Sequence, residues 1–271
     1  MKIKDLGVVV LGMVLSFFVL GVTVVILQAV GVENPPVLLT FVILFGVPTA
    51  FYYLVKRDRR RKRARIALSQ GLTLATDTDD DLRRRLAGFP TLEQPSSRMA
   101  KDRFRVHLDG VDVLILDYSY VRVSAAAAGL AIFMPQAVVA AARFMTETLV
   151  LCNSRELILP QFFLYKRSPS SRQKADTGET FGEEVVIPSE FSAKYGLRGF
   201  DSDRIRSLFT PYVTSYFLEH KGLHATGIGS TLITHRPGRL VRDGNLMEAA
   251  KEAADLLALL KAASASHTER S

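Results

Sequence analysis

The side chains able to do chemistry are few and scattered. His220 and His224 stand four apart, a spacing that on a helix brings two imidazoles to one face, as a metal pair requires. Gly222 lies between them at an expected helix end, and no cysteine or close carboxylate completes a set; His235 is the one further candidate. The pattern reads as exposed or capping histidines, with no metal. Cys152 is the single cysteine, which excludes an internal disulfide framework and suits a reducing compartment. It falls at the end of an expected strand with no evident base, so it reads as a small buried hydrophobe. Gly227-Ile228-Gly229 lacks the strand and third glycine of a dinucleotide fingerprint and reads as a turn. Asp77-Thr78-Asp79-Asp80-Asp81 has Leu82 and Gly88 where a calcium loop needs Gly and Glu. It reads as the cap of a helix over Leu82–Ala87, with acidic charge at the favourable end. Asp112, Asp117, Tyr118 and Tyr120 put acidic and phenolic groups along a strand, as strand surfaces routinely do. The phosphate-loop, zinc-protease, nucleophile-elbow and paired-cysteine motifs do not occur in the sequence. The expectation is no catalytic residue and no cofactor.

The elements that must position these groups begin with two apolar runs. Gly7–Val30 and Val37–Val55 carry no charge, and each is long enough to cross about 30 Å of hydrocarbon. Gly31-Val32-Glu33-Asn34-Pro35-Pro36 joins them as a short turn, and Pro48 is expected to kink the second. A basic collar follows at once: Lys56, Arg57, Arg59, Arg60, Arg61, Lys62, Arg63 and Arg65. With Lys2 and Lys4 before the first run and only Glu33 between the two, the positive-inside rule predicts a multi-pass membrane protein with both termini cytoplasmic. The collar also suits anionic lipid head groups at the membrane surface. It holds +7 of the net +8, leaving a nearly neutral remainder. That weighs against nucleic acid as a partner, since nucleic-acid binding wants charge spread over a folded face.

Beyond the collar, 66–100 reads as a helical linker. From Arg103 the pattern turns to period two, and Asp109-Gly110 marks a hairpin whose returning strand is Val111–Val123. Thr148–Cys152 and Glu156–Leu159 form a second expected pair about Asn153-Ser154-Arg155, so 101–165 is an antiparallel sheet of about four strands. Ser124–Ala142 interrupts it without a single charge. Three readings stay open: a third span, a helix or strands covering the sheet, or a loop that dips into the bilayer or docks on a partner through Leu130, Ile132, Phe133 and Met134. Residues 166–182 are a polar loop. An α+β unit follows at 183–262, with Asp201 or Ser202 capping an apolar stripe from Ile205 to Phe217 that Thr210-Pro211 interrupts. Leu223–Thr226 and Thr231–His235 make a hairpin, Asn245 and Glu248 a capping box, and Leu246–Ala262 the last helix; 263–271 reads as a frayed tail.

Phe191-Ser192-Ala193-Lys194-Tyr195-Gly196-Leu197-Arg198-Gly199 and Ile205-Arg206-Ser207-Leu208-Phe209, with Leu86–Pro90 and Gly110–Tyr118, resemble a family of uncharacterised bacterial membrane proteins with an N-terminal membrane segment. The resemblance covers about residues 66–262. It implies a bacterial inner-membrane protein with a cytoplasmic α+β domain, and it brings no catalytic residues. The Ser124–Ala142 run departs from that pattern as an insertion.

The fold expected is thus α+β: a two-helix transmembrane hairpin over residues 1–55, the collar at 56–65, then a cytoplasmic antiparallel-sheet domain with packed helices. The function expected is a membrane-anchored interaction or regulatory module without catalytic activity, with a protein partner or a second copy as its target. The alternative is a membrane-associated enzyme acting on a lipid head group, which would gather at least two of His107, Asp117, Tyr118 and His235 in a deep pocket.

Overall fold

The computed structural model describes residues 47–86, 89, 99–122, 143–167, 182–187 and 190–268. The chain divides into two compact units, Met1–Arg65 and Ile66–Ser271. The described part of the first belongs to helix α1 (Val47–Ser69), whose last turn enters the second. Arginine and lysine are good helix formers, so the basic stretch propagates the helix. Arg57, Arg59, Arg60, Arg61, Lys62 and Arg65 are exposed on it, and Arg63 is buried. Lys56 lies on the same helix.

The expected multi-pass placement is corrected here. Among the described residues no helix is long and apolar enough to cross a membrane. In α1 the physical reason is visible: the apolar part ends at Val55 and charged residues fill the turns that follow. The apolar runs at 7–30 and 37–46 lie outside the described residues, as does 124–142 with Leu130, Ile132, Phe133 and Met134.

The second unit is α+β. Among the described residues its strands form one nine-stranded sheet in the order β1-β2-β3-β4-β9-β8-β5-β7-β6, antiparallel at every pairing. They are β1 (Thr73–Leu74), β2 (Met99–Leu108), β3 (Val111–Arg122), β4 (Arg143–Asn153), β5 (Leu159–Lys166), β6 (Glu183–Glu184), β7 (Tyr195–Gly199), β8 (His224–Gly229) and β9 (Thr231–His235). Both edge strands are two residues long, which limits edge-to-edge association. The β2–β3 hairpin turns at Asp109 and Gly110, both with positive φ, as the sequence predicts. The expected β4–β5 hairpin does not form. β4 takes β9 as its neighbour and β5 takes β8 and β7, so what read as two units shares one sheet.

Helix α2 (Asp79–Leu86) covers one face at β3 and β4, where Leu82, Leu86 and Phe89 meet Leu114, Leu116, Tyr118, Leu149, Leu151 and Ile233. Its cap is Thr78 and not the acidic run at large. Thr78 Oγ1 accepts the Asp81 amide at 3.1 Å while the Asp81 carboxylate accepts the Thr78 amide at 3.2 Å, a reciprocal capping box. Asp77 is thereby left to pair with Arg105 on β2, at 2.8 Å.

The remaining helices are α3 (Glu190–Lys194), α4 (Ser202–Leu208), α5 (Pro211–Glu219) and α6 (Leu246–Thr268). Asp201 caps α4 through the Arg204 amide, and Pro211 opens α5, so the apolar stripe is cut into two helices. Their aromatics join Phe162 in one cluster. Phe162 meets Phe209 edge-on at 5.2 Å, and Phe191, Tyr195, Phe209 and Phe217 close it. A Cβ at Gly227 would sit 2.3 Å from the Phe162 ring, and one at Gly199 2.2 Å from Ile205, so both glycines make room for this cluster. Helix α6 packs across β3, β4 and β9 and runs six residues beyond the expected end.

Gln70 ties the start of α6 to the turn after α1. Its Nε2 donates to Gly244 O at 2.7 Å, and its Oε1 accepts the Met247 amide at 3.2 Å, one of the unpaired donors of a helix start. Gln70→Ala is expected to cost about 1–2 kcal/mol in urea unfolding. An unchanged midpoint would show the amide to be idle.

Candidate functional site

β9 ends at His235, but β4 continues past it toward its own N-terminus. The loop Arg236–Arg242 takes over as the neighbour of β4, held by hydrogen bonds that the sheet alone would not supply. The Thr148 amide donates to Arg239 O at 3.0 Å, and the Val241 amide donates to Thr148 Oγ1 at 2.9 Å. That hydroxyl donates in turn to the buried Asp117 carboxylate at 2.7 Å. The Gly238 amide, at a residue with φ of +65°, donates to Glu147 Oε2 at 2.9 Å. The loop is pinned by buried groups, so its backbone is rigidly placed.

Between this loop, the end of α5 and the first turns of α6 opens a cleft of about 840 Å³. Val150 and Thr148 of β4, Leu223, Leu240 and Met247 supply its apolar and hydroxyl surface. One wall is a packed polar group. Arg236 grips the Glu252 carboxylate with both terminal nitrogens, Nη1 at 2.8 Å from Oε2. The hydrogen bond to Glu252 holds the guanidinium above its usual value. The Tyr216 hydroxyl donates to Glu252 O, and burial followed by the charges of Glu252 and Asp255 pushes this phenol upward. The His220 ring stacks on Tyr216, centroids 3.9 Å apart, with Nδ1 2.8 Å from Tyr216 O.

A second polar group lies on the opposite face of the sheet, because strand alternation places Glu147, His224 and His235 opposite Thr148 and Thr234. His235 Nδ1 is 3.1 Å from Glu147 Oε1. Burial pushes the Glu147 carboxyl up, but His235, the Gly238 amide and the Tyr120 hydroxyl outweigh it and hold the group below 4.5. The His224 ring meets His235 edge-on at 5.3 Å, and its Nε2 accepts the Lys166 amide at 3.1 Å. Burial first, then His235 and Lys166, lower its value from 6.5 to about 3.

The sequence candidates are therefore dispersed. His220 is the C-cap of α5 and His224 opens β8, so their spacing of four does not make a helical pair. Among the described residues no group of three metal-ligating side chains assembles. Asp117 is buried beneath Thr148, Tyr118 lies in the core under α2, and His107 is exposed near the β2–β3 turn. Of the four residues named for an enzyme pocket, His235 alone borders the cleft. Cys152 is buried, and burial followed by the Asp112 charge pushes its thiol to about 12. Sequence reasoning passed over Glu147, Glu252, Arg236, Arg239 and Arg242. The one available signal was the three-residue repeat of arginine after β9.

No family model matches the chain, and no curated protein matches it. Among solved structures it is similar to the crystal structure of the mycobacterial trehalose monomycolate transport factor A, TtfA, at 11% identity and a TM-score of 0.44, over 75% of this chain and 93% of that one. So distant a likeness assigns no function.

Proposed function

We propose that the second unit is an interaction or regulatory module that works by binding and not by covalent chemistry. One observation supports this: the Cys152 thiol, the His224 imidazole and the Tyr216 phenol are held in unreactive forms. The Cys152 thiol is pushed to about 12, so the thiolate needed for attack is scarce at neutral pH. His224 is lowered to about 3 and spends its acceptor nitrogen on the Lys166 amide, which makes it a poor base. The Tyr216 phenol is raised, and Glu252 is neutralised by Arg236. A catalytic site tunes such groups toward the working pH; here the thiol, the imidazole and the phenol are tuned away from it.

The test uses the full chain at pH 7.5 with a panel of chromogenic carboxylic and phosphoric esters, together with iodoacetamide labelling. No turnover above the buffer rate is expected, and Cys152 should label only after denaturation. Turnover that Cys152→Ala or His224→Gln removes would overturn the reading.

A further inference from the structure

We propose that the cleft between the Arg236–Arg242 loop and α6 binds a small organic oxyanion, a phosphate or carboxylate head on an apolar body; this rests on the binding reading above. The first argument is charge. From Arg236 to Arg242 the loop holds three arginines and no acid. Arg236 is spent on Glu252. Arg239 and Arg242 are exposed and make no side-chain hydrogen bond or ion pair among the described residues. The acids of the cleft, Glu219, Glu248, Glu252 and Asp255, all belong to α5 and α6, so the loop wall is positive by itself.

The second argument is rigidity. Three backbone groups of the loop, at Gly238, Arg239 and Val241, are tied to Glu147 and Thr148 of β4. Two cations on a pinned backbone lose less freedom on meeting an anion than two on a mobile loop. The third argument is the floor. Val150 and Leu223 are buried side chains that border the cleft, with Leu240 and Met247 beside them, and a volume of about 840 Å³ is that of a small-molecule site. An inorganic ion would leave the half-buried Leu240 and Met247 uncovered. A guanidinium pair beside an apolar floor fits an anion that carries a hydrocarbon body.

Titration calorimetry on the full chain tests this with octyl phosphate and octanoate below their micellar ranges, inorganic phosphate, and phosphatidylglycerol vesicles. Octyl phosphate is expected to bind at least about tenfold more tightly than inorganic phosphate, and R239Q/R242Q to weaken it by about tenfold or more at an unchanged melting temperature. Leu240→Glu, which places a carboxylate on the floor, should weaken both organic anions. Octyl phosphate failing to bind, or binding equally to R239Q/R242Q, would overturn the inference. So would vesicle binding that alone responds to R239Q/R242Q, since the anion would then be a membrane surface and not a ligand of the cleft. None of these outcomes touches the non-catalytic reading. Inorganic phosphate released from octyl phosphate in the same samples would overturn that reading instead.

Discussion

Phe217→Ala is expected to destabilise the second unit by about 3–5 kcal/mol, because the cluster cannot collapse into the space. The Phe217 side chain is fully buried, and its ring lies 6.0 Å from Tyr195, 6.2 Å from Phe209 and 6.3 Å from Phe191. The Tyr195 hydroxyl donates to the Phe217 carbonyl at 2.9 Å and accepts the Gly222 amide at 3.0 Å, so a shift of α5 would disturb a buried network as well. The melting temperature should fall by on the order of 10 °C. Tyr212→Ala on the same helix is the control: Tyr212 is 80% exposed, and its loss should change stability by less than about 0.5 kcal/mol. Equal effects from both would show that α5 does not bury the Phe217 side of its surface. Glu219 of α5 and His220, its C-cap, line the cleft, so Phe217→Ala is also expected to weaken binding there.

The second large effect is on acid stability. His224 has a folded-state value of about 3 against 6.5 when unfolded. Above pH 6.5 it is neutral in both states and contributes no pH dependence. Between pH 6.5 and about 3 the unfolded chain takes up a proton that the folded one refuses, so stability falls as the pH falls through that window. His235 and Lys166, which face the ring, oppose its charging. Glu147 acts in the same direction but lower: its depressed carboxyl contributes stability above 4.5 that is lost on further acidification. Urea midpoints measured from pH 8 to pH 4 should therefore decline from about pH 6.5 downward. His224→Gln can still accept the Lys166 amide and cannot titrate, so it should flatten the upper part of that decline by on the order of 2 kcal/mol at pH 5. A decline as steep as that of the parent chain would show that His224 is charged in the fold.

Local patterning was legible wherever neighbouring residues decide it. Period-two alternation from Arg103 and the Asp109-Gly110 turn read as a hairpin and are one. Asp201 or Ser202 read as a cap, and Asp201 is the one; Thr210-Pro211 read as an interruption and is. The net charge could be assigned to 56–65 by counting, and those residues are helical because their own propensities favour it. The burial of Cys152 followed from its strand and its lack of partners.

Other outcomes depended on residues far apart in the chain. The partner of β4 is β9, some eighty residues away, because hydrogen-bonding capacity on a strand does not name the strand that fills it. Thr148 and Glu147 looked like ordinary strand residues until the 236–242 loop laid its amides against them. Gly222 between His220 and His224 read as a helix end, and the helix does end at His220, its C-cap; only strand pairing brought His224 to His235. The run Asp77–Asp81 read as a cap with favourable charge; within it Thr78 is the cap, Asp79, Asp80 and Asp81 fill the first turn, and Asp77 is drawn off to an arginine on β2. Sequence alone determined that this chain carries a concentrated basic stretch ahead of an α+β domain, because composition and periodicity are local. Only the tertiary structure decided that Arg239 and Arg242 of a pinned loop line one cleft with Leu240 and Met247, because which segments meet is a property of contacts between distant parts of the chain.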